Sequence, residues 1–253
     1  MRVIKAIHKP RGGIHPAYHK NLTADQPAQA IPLPPTLFVS MAQHLGAPSK
    51  PLVKKGDALT WGQLIGAAEG FVSAAVHAPA AGQVRAVEEH PGPAGRPVTT
   101  VVIETAQAET AYEAPLPPMP EWRSADKAAL IERVSAAGIV GMGGAGFPTH
   151  VKLSPPPGKT IDTLLINGAE CEPYLTADYR LMLEQPAAVW CGAEIIAAIL
   201  GVKRVVVAIE DNKPDAIHAM EQVMRGAPDS AELAILPTHY PQGAEKQQIY
   251  AIT

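Results

Sequence analysis

Cysteine is nearly absent from this 253-residue chain, with Cys171 and Cys191 the whole supply. Two thiols fit a reducing compartment and allow at most one disulfide, and they cannot furnish the four thiolates of an ordinary iron–sulfur cluster. An excess of one charge is lacking too. Lys and Arg total 21 against 24 Asp and Glu, for a net charge of -3, so no basic footprint marks nucleic acid as a partner. Nor is there a long hydrophobic run. The longest, 187–202, is interrupted by Glu194 and followed by Lys203 and Arg204, and the N-terminal "MRVIKAIHKPRGG" has no apolar core of signal-peptide length. Neither a membrane span nor a secretory leader is expected. His15 and His19 stand four apart, but Pro16 disfavours a helix between them and no H-E-x-x-H occurs, so no metal site is expected.

What is present suits two domains, each with its own core. Prolines gather in "QPAQAIPLPPT" (26–36) and "APLPPMPEW" (114–122), where missing N–H donors and fixed φ discourage regular structure. The expected organisation is an extended N-terminal segment over 1–36, a small all-β domain over 37–106, a Pro-rich linker over 107–123 and an α/β domain over 124–253. Within the β domain, "GQVRAVEEH" and "PVTTVVIET" suit strands. The stretches "VKKGDALTWGQLIG" (53–66) and "AAVHAPAAGQVRAV" (74–87) resemble the two halves of a biotinyl/lipoyl-like barrel-sandwich hybrid. Such carriers hold a modified lysine on the hairpin between the halves. Here that hairpin is "AEGFVSA", without lysine, and a structural module is the expected role.

From Ser124 the rhythm changes. "SADKAALIERVSAAG" places Ala128, Leu130, Ile131, Val134 and Ala137 at helical spacing between a Ser/Asp cap and Gly138. Strands follow at "TLLIN" (163–167), "RVVVAIE" (204–210) and "ELAILPT" (232–238), separated by helices over 177–183, 187–200 and 214–224. That alternation predicts a mainly parallel sheet with helices on its faces, a Rossmann-like α/β domain.

Three stretches carry candidate chemistry. In "GMGGAGFPTHVK" (141–152), Gly141, Gly143 and Gly146 satisfy G-x-G-x-x-G, although the loop follows a helix where the dinucleotide fingerprint needs a strand. Glycines there let the backbone approach a flat or phosphorylated ligand, a helix start at Pro148 would aim N–H groups at an anion, and Lys152 would add charge. In "INGAECEPYLTADYR" (166–180), Asn167 ends a strand and Glu170 and Glu172 follow, at the strand end where open α/β sheets bind ligands. In "YPQGAEKQQ" (240–248), Gly243 and Glu245 again follow a strand. Cys171, flanked by these glutamates, is not expected to be a nucleophile.

With the N-terminal "RGGIHPAYHK" and the β module, these stretches resemble RnfC (RsxC), the C subunit of the Rnf (Rsx) electron transport complex, and more distantly the flavin-binding NADH dehydrogenase subunit of respiratory complex I. The resemblance implies a flavin/NADH-binding domain in which Gly141, Gly143, Gly144, Lys152, Asn167 and Glu170 contact FMN. Ala145 and Gly146 complete the loop. Phe147, Glu172 and Glu245 would lie toward NADH, with Tyr240 and Gly243 closing the far wall, and no side chain need be catalytic. Where the complex I subunit has an arginine, an aspartate and an acid, this chain has Met142, Ala169 and Ala244. The resemblance further implies electron transfer between NAD(H) and iron–sulfur clusters through FMN, on the cytoplasmic side of a bacterial inner membrane. Its implied partners are the other Rnf/Rsx subunits, membrane subunits among them, and a ferredoxin-like protein. Family members continue into a cysteine-rich region with two [4Fe–4S] clusters, so the chain is expected to be a truncated form lacking them. The alternative is a scaffold that keeps the fold without the flavin.

Overall fold

The computed structural model describes residues 1–8, 12–92, 95–106, 114, 116–142 and 146–253. They form two compact units, Met1–Ala30 with Thr160–Thr253, and Ile31–Lys159. In chain order the strands and helices begin with β1 (Arg2–Lys5) and continue with β2 (Thr36–Ser40), β3 (Lys50–Pro51), β4 (Ala58–Leu59), β5 (Leu64–Ala67), β6 (Val76–His77), β7 (Gly82–Pro91) and β8 (Pro97–Thr105). Then come α1 (Lys127–Ala136), α2 (Thr149–Lys152), β9 (Thr163–Gly168), α3 (Ala177–Glu184), α4 (Pro186–Leu200), β10 (Arg204–Glu210), α5 (Pro214–Val223), β11 (Ala231–Leu236) and α6 (Glu245–Ile252).

The unit Ile31–Lys159 holds an antiparallel sheet in the order β2-β8-β7-β4 and a smaller one in the order β3-β5-β6. Valines and isoleucines favour the pleated backbone. They also fill the space between the sheets, where Val39, Ile65, Val76, Val84, Val101 and Ile103 meet around Met41. Each such side chain, once removed from water, contributes roughly 1.5–3 kcal/mol. β7 and β8 pair along their whole lengths with a bulge between Val84 and Ala86. The turn that carriers use for their lysine, 68–74, holds no lysine here.

Helix α1 belongs to this unit. The Asp126 carboxylate accepts the Ala128 N–H at 3.1 Å, and Gly138, at φ +70°, ends the helix. A Cβ at Gly138 would lie 2.2 Å from the Ala75 carbonyl oxygen, so the missing side chain lets this segment close onto the β module. The sequence boundary places 124–159 with the α/β domain, whereas by packing these residues group with the β sheets.

The other unit is a four-stranded parallel sheet in the order β1-β11-β10-β9. Side chains alternate between its faces. Val207, Ile209 and Leu233 meet Met182 of α3, Ala216 and Met220 of α5, and Met224 just after it on one face. On the other, Val206, Ala208, Ala234 and Leu236 meet Ala251 and Ile252 of α6. Pro214 and Pro186 stand at the starts of α5 and α4, where a missing N–H costs nothing. The N-terminal residues, expected to be merely extended, form the edge strand β1 beside β11, with Arg2 facing Glu232 in the register. Arg2 and Arg204 both pair with that buried carboxylate. No single helix among the described residues is long and apolar enough to cross a membrane.

Candidate functional site

Residues 141–152 lie in the unit Ile31–Lys159. Their loop is pinched at its base by the Gly141 N–H donating to the Phe147 carbonyl at 2.9 Å and by a bridge between Val140 and Pro148. Gly146, at φ +58°, accepts the Leu45 N–H at 3.1 Å, and its Cβ would come within 3.2 Å of the Gln43 carbonyl oxygen. Glycine is therefore required where the loop sits on the β module. Gly141 has a different reason to be small. A Cβ there would be 2.8 Å from Lys152 Nζ, so the absent side chain leaves the space in which the ammonium lies. Met142 is 95% exposed. Gly143 and Gly144, two of the expected flavin contacts, and Ala145 beside them fall outside the described residues.

One expectation about this loop needs correcting. The helix after Pro148 is a single turn, and the Thr149 N–H already donates to the Ile139 carbonyl at 3.0 Å. Charge at this place comes from Lys152 rather than from a helix terminus.

In the parallel-sheet unit the remaining candidates gather where β9 and β11 end. Asn167 Nδ2 donates to the Gly243 carbonyl at 2.9 Å, and its Oδ1 accepts the Ala169 N–H at 3.1 Å and a hydrogen bond from Gln248. The Gly243 N–H donates to Cys171 Sγ at 3.2 Å, and a Cβ on Gly243 would lie 2.9 Å from the Ala169 carbonyl oxygen. The two loops thus touch through backbone, and Asn167 clasps them. Burial pushes the Cys171 thiol up, the Gly243 N–H opposes this, and the charges of Glu172 and Glu210 add to the rise. Desolvation, more than the neighbouring carboxylates, disfavours the thiolate here.

The two glutamates part company. Glu172, like Glu245 at the start of α6, is exposed. Glu170 is 3% exposed, against the expectation that it faces a cofactor. Its Oε1 accepts the Asp178 N–H at 2.9 Å, and its Oε2 lies 3.6 Å from Lys20 Nζ. Burial raises the Glu170 carboxyl pKa against the pull of the Asp178 N–H and Lys20, and burial lowers that of Lys20 against Glu170. For both members desolvation outweighs the attraction across the pair.

Two features here were not read from the sequence. Glu210 ends β10 fully buried, with Oε2 2.7 Å from Lys213 Nζ. Residues 12–28 run across the strand ends. Ile14 and Tyr240 exchange backbone hydrogen bonds at 2.8 and 2.9 Å, the Tyr174 N–H donates to the Tyr18 carbonyl at 2.8 Å, and the Ala28 N–H donates to Glu184. The stretch "RGGIHPAYHK" entered the sequence reading only through the resemblance, and the tertiary contacts of its described residues lie about 150 residues or more away. Among the described residues no His, Cys, Asp and Glu group could hold a metal ion.

Residues 8–108 match the RnfC barrel sandwich hybrid domain model and residues 134–253 the Nuo51 FMN-binding domain model. The chain is 45% identical to the C subunit of the proton-translocating ferredoxin:NAD(+) oxidoreductase complex of Clostridium ljungdahlii, over 96% of this chain and 52% of that one. It is 46% identical to the Na(+)-translocating counterpart of Acetobacterium woodii, over 96% and 54%. With the C subunit of the ion-translocating oxidoreductase complex of Rhodobacter capsulatus the identity is 45%, over 96% and 47%. Among solved structures, an NAD+-reducing [NiFe]-hydrogenase chain is 24% identical over 49% of this chain and 23% of that one, with a TM-score of 0.42. The chain spans about half the length of these three relatives. With both domain models matched in order along nearly all of its residues, it belongs to the RnfC family.

Proposed function

We propose that this chain is the FMN- and NADH-binding part of an Rnf-type C subunit, passing electrons between NAD(H) and an iron–sulfur chain in a membrane-bound, ion-translocating complex. The relatives bear the names of ferredoxin:NAD(+) oxidoreductase subunits, and the second half matches an FMN-binding domain model. One observation carries the reading at the level of residues. Gly141 has no side chain where a Cβ would displace Lys152 Nζ, so the loop keeps an ammonium beside bare backbone, the chemistry that receives a flavin phosphate or ring edge.

Lys152 and the glycine loop would hold FMN, and the exposed carboxylates of Glu172 and Glu245 would accept hydrogen bonds from ribose hydroxyls of the dinucleotide. Asn167 keeps the two loops bearing those acids together. FMN, when bound, supplies the conversion between two-electron hydride chemistry and one-electron transfer. The protein's part is to bind and orient, so a site of glycines, an amide and carboxylates without a Ser or His constellation suits it. Clusters in the electron path need ligands beyond Cys171 and Cys191. The full-length protein, reconstituted with FMN and titrated anaerobically with NADH, tests this. A yellow protein that bleaches on NADH is expected. A folded protein showing neither would overturn the reading in favour of a flavin-free scaffold.

A further inference from the structure

We propose that Lys20 is the positioning residue for the loop that presents Glu172, holding it through the Glu170 carboxylate and two loop carbonyls so that the dinucleotide meets a preformed acid. This rests on the functional reading above.

Lys20 reaches that loop from far away in sequence. Its Nζ donates to the Leu175 carbonyl at 2.6 Å and to the Glu172 carbonyl at 3.1 Å, and lies 3.6 Å from Glu170 Oε2. An ammonium offers three donors and no acceptor, and here it meets three oxygens of a single loop. Its side chain is 14% exposed and that of Glu170 3%. Glu170 Oε2 has no hydrogen-bond partner, which leaves the Lys20 charge as its near compensation. Glu170 in turn accepts the Asp178 N–H in the first turn of α3. The chain of contacts runs from Lys20 through Glu170 to the helix, with Glu172 carried between.

The backbone on both sides bears the marks of a constrained junction. His19 and Tyr174 have φ of 51° and 70°, a region costly for residues with a Cβ unless their surroundings enforce it. Their rings stack at 5.0 Å and 13°. The Tyr174 N–H donates to Tyr18, and Thr176 Oγ1 donates to Thr23 Oγ1 at 2.8 Å. The exposed acid therefore stands on a loop whose shape is set by residues 18–23. Preformed geometry of this kind appears as affinity for the bound molecule and not as a faster chemical step.

The test compares full-length, FMN-loaded wild type with Lys20→Met, Lys20→Arg and Lys20→Gln, using NADH oxidation with ferricyanide as acceptor and hydrogen exchange of amides 170–178. Lys20→Met is expected to keep its flavin and to show a KM for NADH raised about tenfold with kcat within about twofold, the pattern of lost binding rather than lost chemistry. The Tyr174 and Asp178 amides should exchange about tenfold faster. Lys20→Arg, which keeps charge and donors, should restore most of the affinity. Should Lys20→Met fail to fold, Lys20→Gln, which keeps a donor but no charge, is expected to raise KM less and still to speed exchange. Wild-type KM and wild-type exchange in the folded variant would overturn the proposal while leaving the functional reading intact. A wild-type protein that NADH does not bleach would overturn both, and is told apart because it shows before any substitution.

Discussion

Replacing Lys213 with methionine removes the cation from a pair in which neither side chain sees water. Glu210 is 0% and Lys213 3% exposed, with Nζ 2.7 Å from Oε2 and also 3.0 Å from the Asn212 side-chain oxygen. Lys213 is the residue preceding α5, where the helix dipole disfavours a positive charge by about 0.3–1 kcal/mol. Its presence there makes sense only as the partner of Glu210. Stranding a buried carboxylate costs about 3–5 kcal/mol, and relief of the dipole term leaves a net loss of roughly 2–5 kcal/mol. At roughly 3–5 °C per kcal/mol for a unit of this size, Tm should fall by roughly 6–25 °C. Glu210→Met with Lys213→Met removes both charges, and should return to within about 1 kcal/mol of the wild type. Trp190 packs against the parallel-sheet core, so its fluorescence in a Trp61→Phe, Trp122→Phe background follows urea unfolding of that unit alone. A loss under about 1 kcal/mol for the single variant, or a double variant as weak as the single, would refute the assignment of this pair as mutually required.

Further outcomes are expected at three other places. The Tyr179 hydroxyl donates to Asp215, and burial first, then that carboxylate, push the phenol from 10.0 up to about 12. A raised value means that the contribution to stability is whole below pH 10 and lost as pH rises toward 12; an alkaline absorbance titration should show a late phenolate step that Tyr179→Phe removes. Gly141→Ala crowds the flexible end of Lys152 and makes ordinary contact with the Phe147 backbone at 3.7 Å, so Tm should hold within about 2 °C while flavin affinity, read by fluorescence titration, falls about tenfold; unchanged affinity would detach Lys152 from the flavin. Gly243→Ala drives a Cβ against the Ala169 carbonyl and Cys171 and should cost about 1–3 kcal/mol in denaturant unfolding. No loss there would show that the two loops are free to part.

Much of the architecture was legible where physics is local. Residues 204–210 form a short apolar run between turn signals, and the strand occupies that same span. Asp126 and Gly138 bracket a helix in the sequence and in the fold. Pairing between distant segments leaves no such local trace. "RVIK" is too short and too charged to announce a strand, and it becomes one because β11 offers an open parallel edge. The proline-rich stretches suggested that everything after Ser124 belongs together, yet residues 124–159 group with the β sheets, and Gly138 leaves no room for a side chain against the Ala75 carbonyl. In the candidate site, Gly141, Lys152, Asn167 and Gly243 could be chosen by residue type, since a bare backbone, a charge and an amide each have few uses in such patterns. Glu170 and Glu172 could not be told apart. Which of two acids turns inward depends on Lys20, about 150 residues earlier, and on the phase of a loop with no periodicity to reveal it.

The placement of β1 also has a consequence for synthesis. Strand β1 finds its neighbour only when residues 232–235 have been made, whereas among the described residues the segment 31–159 contains both members of each strand pair in its two sheets. The inserted unit can therefore fold while β1 waits for β11, and their pairing closes a loop of more than 200 residues after the inserted unit has been made.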